Sequence, residues 1–596
     1  MTNKHFQRIE SLRKIMQREG WDAVVLRGSD PHSSEYLAPR YQVVTWLSGF
    51  TGEAGDMVVT MDEAGLWTDS RYFIQAAEQL AGSGIELHKT RLPESEYIPE
   101  FLRRKACTRV ACDSLCESVA SAAEIREACG GNEGFELVGV PDLIDVIWEE
   151  RPALPCSPVI SLDESTVGRT RLEKIEWLRT WLSEMEEDYV LIGALDQVAW
   201  MLNVRGSDID YNPVVFSYLL VSQDSVQFFM LKDSERDEDT VDTIELLESE
   251  GISVEKYSAV VPCLRQILEN GESVCYDPAS LNAELGDILS EQRKICSPVE
   301  LEKAIKNSAE IEGMREAHME DGLAVEKFLY WLEQRLSEGP VSEWEAACKL
   351  HQLRKEIPGY MGDSFETISA WGPGAALPHY CTPKDGSTMI QPRGLYLVDS
   401  GGQYLFGTTD ITRTVPVGET SYLEKEDYSL ALKGMINLST AVFPYGTAGC
   451  QIDALAREAM WRSGRNFGHG TGHGVGFFLG VHEGPQSIRQ NFLQQPLLPG
   501  MISSDEPGIY REGMHGIRHE NLILCREAYT NSFGRWLSFE TLTLCHIDTA
   551  AVLPQLLSNE EKEWLNAYNE RVYRTFAPAI EDAGFEAWLR KKTLPL

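Results

Sequence analysis

A chain of 596 residues is too long for one hydrophobic core, and three or four domains are expected of it. Its 54 Lys and Arg against 92 Asp and Glu give a formal charge of −38, which repels nucleic-acid phosphates, and its 43% apolar content speaks for packed globular units over disorder. The 13 cysteines are scattered without paired CxxC spacings, which predicts reduced thiols in a cytoplasmic compartment; the charged start has no signal-peptide core, and no run of about 18 apolar residues predicts a membrane span.

In chain order, an amphipathic pattern predicts a helix over 6–18, followed by a buried strand over 21–26, then Asp30 and the Trp-containing segment 45–50. The same order recurs as a helix over 171–184, a strand over 189–192, then Asp196 and the segment 200–205, which hints at two related α/β domains. The Pro-rich segment 151–158 fits a boundary between them. A second boundary is expected near 296–300, where Pro298 precedes a helical stretch from 300 to about 336. Near the end, a strand is predicted over 537–544, then a helix opened by the capping box Ser558-Asn559-Glu560-Glu561, with Trp564, Leu565 and Tyr568 as its apolar face.

The residues with chemistry cluster in the last third. Asp399 ends the apolar run 395–399, and Asp410 opens the β-branched run 410–415. If these pair antiparallel around a turn near Tyr404, Asp399 and Asp410 fall directly opposite, with Cβ atoms about 4.5–5.5 Å apart. Gly401, Gly402 and Gly407 would let the connection turn tightly, and two Asp in such a hairpin are, taken alone, more often turn formers. Five glycines in the nine residues 468–476 argue against an ordinary helix or strand interior and for close backbone approach to a ligand. No Gly-Lys-Ser/Thr follows, as a phosphate-binding loop requires, and His469 and His473 lack the further His or thiolate of a zinc site. Glu506 lies in Ser504-Asp-Glu-Pro-Gly508. Glu520 would share a strand face with Arg518 and Leu522, where a buried carboxylate needs a cation, either a metal or Arg518. Asp399, Asp410, His473, Glu506 and Glu520 together offer four carboxylates and one imidazole, the donor set of a dinuclear metallohydrolase.

These motifs, Asp399-Ser-Gly-Gly-Gln-Tyr404, Gly407-Thr-Thr-Asp-Ile-Thr-Arg413, His469-Gly-Thr-Gly-His-Gly-Val-Gly476, Val481-His-Glu-Gly-Pro485, Asp505-Glu-Pro-Gly508 and Gly516-Ile-Arg-His-Glu-Asn521, resemble the creatinase and aminopeptidase superfamily of pita-bread fold. The resemblance is closest to its cytosolic three-domain Xaa-Pro aminopeptidases, the aminopeptidase P family. It extends through Trp67-Thr-Asp-Ser-Arg-Tyr-Phe73 and Arg205-Gly-Ser-Asp-Ile-Asp-Tyr-Asn-Pro213 over nearly the whole chain. It implies an α/β (α+β) chain with two creatinase-like α/β domains, 1–155 and 156–309, a pita-bread catalytic domain over 310–535 and a C-terminal extension over 536–596 that helps a homodimer form. It implies hydrolysis of the N-terminal Xaa-Pro bond of peptides by a hydroxide held between two divalent ions, with manganese expected and cobalt or zinc compatible. Prolidase, methionine aminopeptidase and a non-catalytic pita-bread binding module are the alternatives. The family's ligands map to Asp399, Asp410, His473, Glu506 and Glu520, with Asp410 and Glu520 bridging and Glu506 also the general base. Its histidines beside the metals fall on His379, His469 and His482, which would bind the substrate carbonyl or pass a proton to the leaving nitrogen. Phe365 matches the wall against the proline ring, and Arg71 a substrate-binding arginine of the N-terminal domain. The chain departs from the family at Phe406, usually acidic, at His519, usually a branched aliphatic, and at Gly402 and Asp505, commonly Ala and Asn. A packing or surface role is expected for His519.

Overall fold

The chain folds as two units, Met1–Asp163 with Arg169–Val299 and Glu164–Gly168 with Glu300–Leu596, in a computed structural model that describes residues 4–131, 134–231 and 237–596. In the first unit, helix α1 (Lys4–Glu19) buries Ile9, Leu12 and Met16 at helical spacing, and the chain turns directly into strand β1 (Ala23–Leu26). With β2 (Asp56–Thr60), β3 (Ala64–Thr68), β4 (Glu86–Lys89), β5 (Arg109–Cys112) and β6 (Glu136–Gly139) it forms a mixed sheet of order β4-β3-β2-β1-β5-β6. Helix α2 (Arg171–Met185) leads into the second sheet. Its strands β7 (Tyr189–Ile192), β8 (Ser217–Ser222), β9 (Val226–Met230), β10 (Ser253–Lys256) and β11 (Val274–Tyr276) follow the order β10-β9-β8-β7-β11. The founding strand of each sheet pairs antiparallel with the next strand and parallel with the one on its other side, so the repeat heard in the sequence is a repeat of topology. The paired aspartates do not repeat. Asp30 is buried and accepts the His32 and Ser34 N–H groups at 2.9 and 3.0 Å, whereas Asp196 sits in the first turn of the helix Leu195–Leu202.

In the second unit the helical stretch expected from 300 to 336 is two helices, α3 (Pro298–Ala304) and α4 (Ser308–Glu338). Asn307 divides them. Its side chain accepts from Ala309 N and Glu310 N while Glu310 returns a bond to Asn307 N, a capping box that starts a new helix in place of continuing the old one. Strands β12 (Ile368–Trp371), β13 (Leu395–Ser400) and β14 (Ile411–Pro416) form one antiparallel sheet. A second sheet runs in the order β15-β22-β21-β18-β16-β17, from β15 (Val442–Pro444), β16 (Gly472–Gly474), β17 (Glu483–Ile488), β18 (Ile502–Asp505), β21 (Asn521–Asn531) and β22 (Gly534–Thr541). Between β18 and β21 the hairpin β19 (Gly508–Arg511) and β20 (His515–Arg518) stands as a separate pair.

Two expectations about the glycines are corrected here. The connection from β13 to β14 does turn beside Tyr404, which pairs with Gly407, but Asp399 and Asp410 do not fall directly opposite. It runs out through Gly402–Tyr404 and back through Gly407–Thr408, so Asp399 pairs with Thr412, two residues beyond Asp410. The glycine at 401 serves space, not conformational freedom: a Cβ there would lie 2.0 Å from Thr409 O and 2.1 Å from Ser364 Oγ. The glycine-rich run also contains a genuine interior strand, β16. A Cβ on Gly472 would meet Ser504 O at 2.0 Å, and one on Gly474 would meet Glu483 O at 2.3 Å, so glycine lets neighbouring strands, not a ligand, approach.

The last strand, β22, ends three residues earlier than predicted and pairs with β21 through a hairpin at Asn531–Gly534. Helix α5 (Asn559–Phe576) begins at the predicted Ser558 cap, and its Leu565, Tyr568, Val572 and Phe576 enter the same core as Tyr396, Val398 and Ile411. The residues after β22 are thereby part of the second unit's core. Among the described residues all 13 cysteines are free, and no helix is long and apolar enough to cross a membrane. Replacing Gly401 by Ala is expected to destabilise the second unit by about 1–3 kcal/mol or more, read from chemical denaturation, because the new methyl group faces a backbone carbonyl; an unchanged unfolding midpoint would contradict the close approach described.

Candidate metal centre

Asp399 is the penultimate residue of β13, and Asp410 immediately precedes β14. The two-residue slip in register keeps both on one face of the sheet, since side chains alternate with period two. Glu520 lies between β20 and β21, where its N–H donates to Thr412 O at 3.2 Å and its Oε2 accepts from Thr412 Oγ1 at 2.8 Å. One carboxylate oxygen from each of Asp399, Asp410 and Glu520 thus comes within 4.8 Å of the others, and all three residues are buried.

His473 is the middle residue of β16. Its backbone N–H donates to Ser504 Oγ at 3.0 Å and its Nδ1 faces Gly474 O at 3.0 Å, which assigns the proton to Nδ1. Nε2, with its lone pair, then faces Asp410 Oδ2 at 3.6 Å and Glu506 Oε1 at 3.7 Å. Both gaps are too long for hydrogen bonds. Glu506 follows β18 and is held through its N–H to Thr471 O at 2.8 Å. His482 stands edge-on to His473, ring centroids 4.4 Å apart at 89°, and offers a nitrogen within 4.8 Å of Asp410 and His473.

The electrostatics are those of crowded like charges. Burial, then the charges of Glu520, Asp399 and Glu506, push Asp410 well above the carboxylate range; burial, then Asp399, push Glu520 up to about 7. Asp399 is eased by Arg518, whose Nη2 donates to its Oδ2, so the arginine weighed as a partner for Glu520 spends its direct bond on the neighbouring aspartate. Among the described residues Asp399 Oδ1 and Asp410 Oδ1 are buried with no hydrogen-bond partner. Oxygen donors left unpartnered, an imidazole lone pair aimed between two carboxylates and a mutual repulsion that cations would relieve all fit a pair of divalent ions.

His469 is fixed from both sides. Nδ1 donates to Gly470 O at 2.6 Å, so Nε2 accepts from the Tyr510 hydroxyl at 2.7 Å, and that hydroxyl accepts from Arg518 Nη1 at 2.7 Å. Burial and the Arg518 charge hold this imidazole well below its ordinary pKa, hence neutral. His379 lies just past the turn Gly372–Ala376, half-buried and near enough for its charge to bear on His469, beside Pro378, whose carbonyl accepts from Arg518 Nη2 at 3.3 Å. Phe365 is buried before β12, and its neighbour Ser364 donates to Thr409 O at 2.8 Å, next to Asp410. Arg71 belongs to the first unit, where its Nε meets Asp69 Oδ1 at 2.9 Å. His519 is fully buried, perpendicular to Tyr428 with centroids 4.3 Å apart, and pushed down to about 3 by burial, then the Arg413 charge, as fits packing inside the fold. Thr412, Tyr510 and Ser504 were not anticipated. Thr412 would have been found from the correct register, and Tyr510 from its place on the strand that follows Glu506.

The model of metallopeptidase family M24 matches residues 312–527, and that of its C-terminal region matches 535–596. Two models of the creatinase/prolidase N-terminal domain match 8–147 and 150–310. A probable Xaa-Pro aminopeptidase P of Tuber melanosporum is 38% identical over 620 residues, covering 99% of both chains. The X-prolyl aminopeptidase of Caenorhabditis elegans, described as a cytosolic enzyme with a di-nuclear active site, superposes with a TM-score of 0.95 at 34% identity over 100% of both chains. The Xaa-Pro dipeptidase of Bacillus anthracis, at 27% identity and a TM-score of 0.50, covers 64% of this chain and 99% of its own.

In the metal-free protein Glu520 keeps its proton to about pH 7, whereas the unfolded chain releases it near its ordinary value of 4.5. Between these values the folded state binds more protons, so stability falls as pH rises. The thermal midpoint of the metal-free protein is expected to drop more steeply from about pH 5 to about pH 7.5 than that of Glu520→Gln; parallel curves would show that Glu520 does not carry the proton.

Proposed function

Because this chain belongs to metallopeptidase family M24 and is a metal-dependent Xaa-Pro aminopeptidase with two divalent metals, we propose that Asp399, Asp410, His473, Glu506 and Glu520 hold those metals, with Asp410 and Glu520 shared between them. The observation that carries this reading is the approach of Asp399, Asp410 and Glu520 oxygens within 4.8 Å, together with the His473 Nε2 directed between Asp410 and Glu506. When bound, the ions supply an activated water and polarise the scissile carbonyl. Glu506, half-buried beside the buried cluster, takes the proton from that water. His379 and His482 bind the carbonyl oxygen and pass a proton to the leaving nitrogen. That proton is needed because the bond cleaved precedes proline, whose tertiary amide nitrogen leaves as a secondary amine. His469, with both ring nitrogens engaged, serves substrate binding by holding its neutral edge and the Tyr510 hydroxyl in place. Phe365 supplies the apolar wall for the proline ring, and Arg71 a substrate contact from the first unit.

Manganese is the expected ion, since hard carboxylate oxygens dominate the donor set, and cobalt or zinc would also be held. The substrates are peptides with proline second. We further propose a cytoplasmic homodimer with the division 1–155, 156–309, 310–535 and 536–596. A dipeptide-only prolidase shares the chemistry of this centre, and peptide length separates the two. With added Mn²⁺, release of Arg is expected from Arg-Pro-Pro and not from Arg-Ala-Ala. Glu506→Gln should lower kcat by about 10²- to 10⁴-fold, with metal content measured alongside. Cleavage of Arg-Pro with none of Arg-Pro-Pro would favour the prolidase.

A further inference from the structure

Arg413 is 1% exposed, and no carboxylate meets its guanidinium in a direct bond among the described contacts. Its five N–H groups face six acceptors instead, with Nη2 sharing two hydrogens among three. Nη1 donates to Thr412 O at 3.0 Å and to Glu520 O at 2.7 Å, and Nη2 donates to Asn521 Oδ1 at 2.9 Å. The other three go to the C-terminal extension: Nη2 to Cys545 O at 2.8 Å and to the Tyr568 hydroxyl at 2.8 Å, and Nε to His546 O at 3.2 Å. Three acceptors therefore belong to the strand ends that carry Glu520 and the Thr412 hydroxyl bonded to it, and three to residues that follow β22.

The far side is itself anchored. The single Tyr568 hydroxyl proton lies between Thr543 O and Cys545 O, each 3.0 Å away. Glu326 of α4 accepts the His546 N–H at 2.7 Å and the His546 ring Nδ1–H at 2.8 Å. Glu326, Cys545 and His546 also bring donor atoms within 4.8 Å of one another, but the carboxylate is already engaged by His546 and the Arg413 guanidinium lies beside the group, so a cation there would be repelled. The group is an anchor, not a second metal site.

We infer that Arg413 is a positioning residue that makes the C-terminal extension, through Tyr568, Cys545 and His546, part of the framework fixing Glu520 at the metals. The inference rests on the assignment of Glu520 as a ligand. A planar fork of fixed donors suits this task and a lysine cannot reproduce it. Glu520 is held at its backbone by Arg413 and at its carboxylate by Thr412, the next residue, so a shift in the extension reaches the ligand through one side chain.

The test uses the full chain, with Arg413→Lys and the milder Tyr568→Phe, and Mn²⁺ binding measured by calorimetry on the metal-free proteins. The Kd is expected to rise by about 10- to 100-fold in Arg413→Lys, the usual cost of losing an outer-shell partner, and by less in Tyr568→Phe. At saturating Mn²⁺, kcat should recover with KM for Arg-Pro-Pro unchanged. A lowered thermal midpoint with wild-type Kd in both variants would overturn the inference and leave Arg413 a structural brace. If Glu520→Gln binds Mn²⁺ as the wild type does, the ligand assignment falls, and this inference with it.

Discussion

Repulsion among buried carboxylates is the constraint on which the second unit turns. Asp399, Asp410 and Glu520 are each less than a tenth exposed, and Asp410 and Glu520 titrate well above their ordinary range because each sits in the field of the others. A fold can hold such a cluster only if the backbone around it is rigid and the charge is neutralised on demand. Arg518 gives part of that neutralisation to Asp399, and divalent ions held here would give the rest.

Rigidity comes from contacts too close for side chains. The glycines at 401, 472 and 474 bring carbonyls to where a Cβ would stand, so the strands carrying Asp399, His473 and Glu506 are drawn together around the cluster. The polar chain from Arg518 through Tyr510 to His469 and on to Gly470 runs in one direction of donation and leaves the imidazole neutral. The hairpin of β19 and β20 that bears Tyr510 and Arg518 is tied to the next helix, Tyr422–Ser439, where Asp427 accepts from Arg511 Nη2 at 3.0 Å and from His515 Nε2 at 2.9 Å.

Much of this was legible in the sequence where the signal was local. The helix, strand and tryptophan order of the first 205 residues foretold two sheets of like topology, and the Ser558 capping box foretold the start of α5. What could not be read depends on distance in space. The register of β13 against β14 differs from the expected one because the turn is centred on residues 405 and 406, a shift of one residue about Tyr404 that no local pattern announces. The glycine run argues against a strand because glycine's conformational cost is visible in a sequence and the crowding that offsets it is not. Tyr510 and Thr412 went unnoticed because a hydroxyl that orients a histidine or a carboxylate looks like any strand residue until the partner is placed.

The core of the second unit draws its side chains from Val325 to Leu589, mixing the long helix α4, the strands of the metal centre and the last helices of the chain. During synthesis this core cannot close until Leu589 has emerged. Until then each of the four acidic side chains, once made, stands in water and apart from the others. Assembly of the centre therefore waits on residues far downstream of its own, and removing the helix Ala583–Lys592 would strip Phe585, Trp588 and Leu589 from the core that holds it.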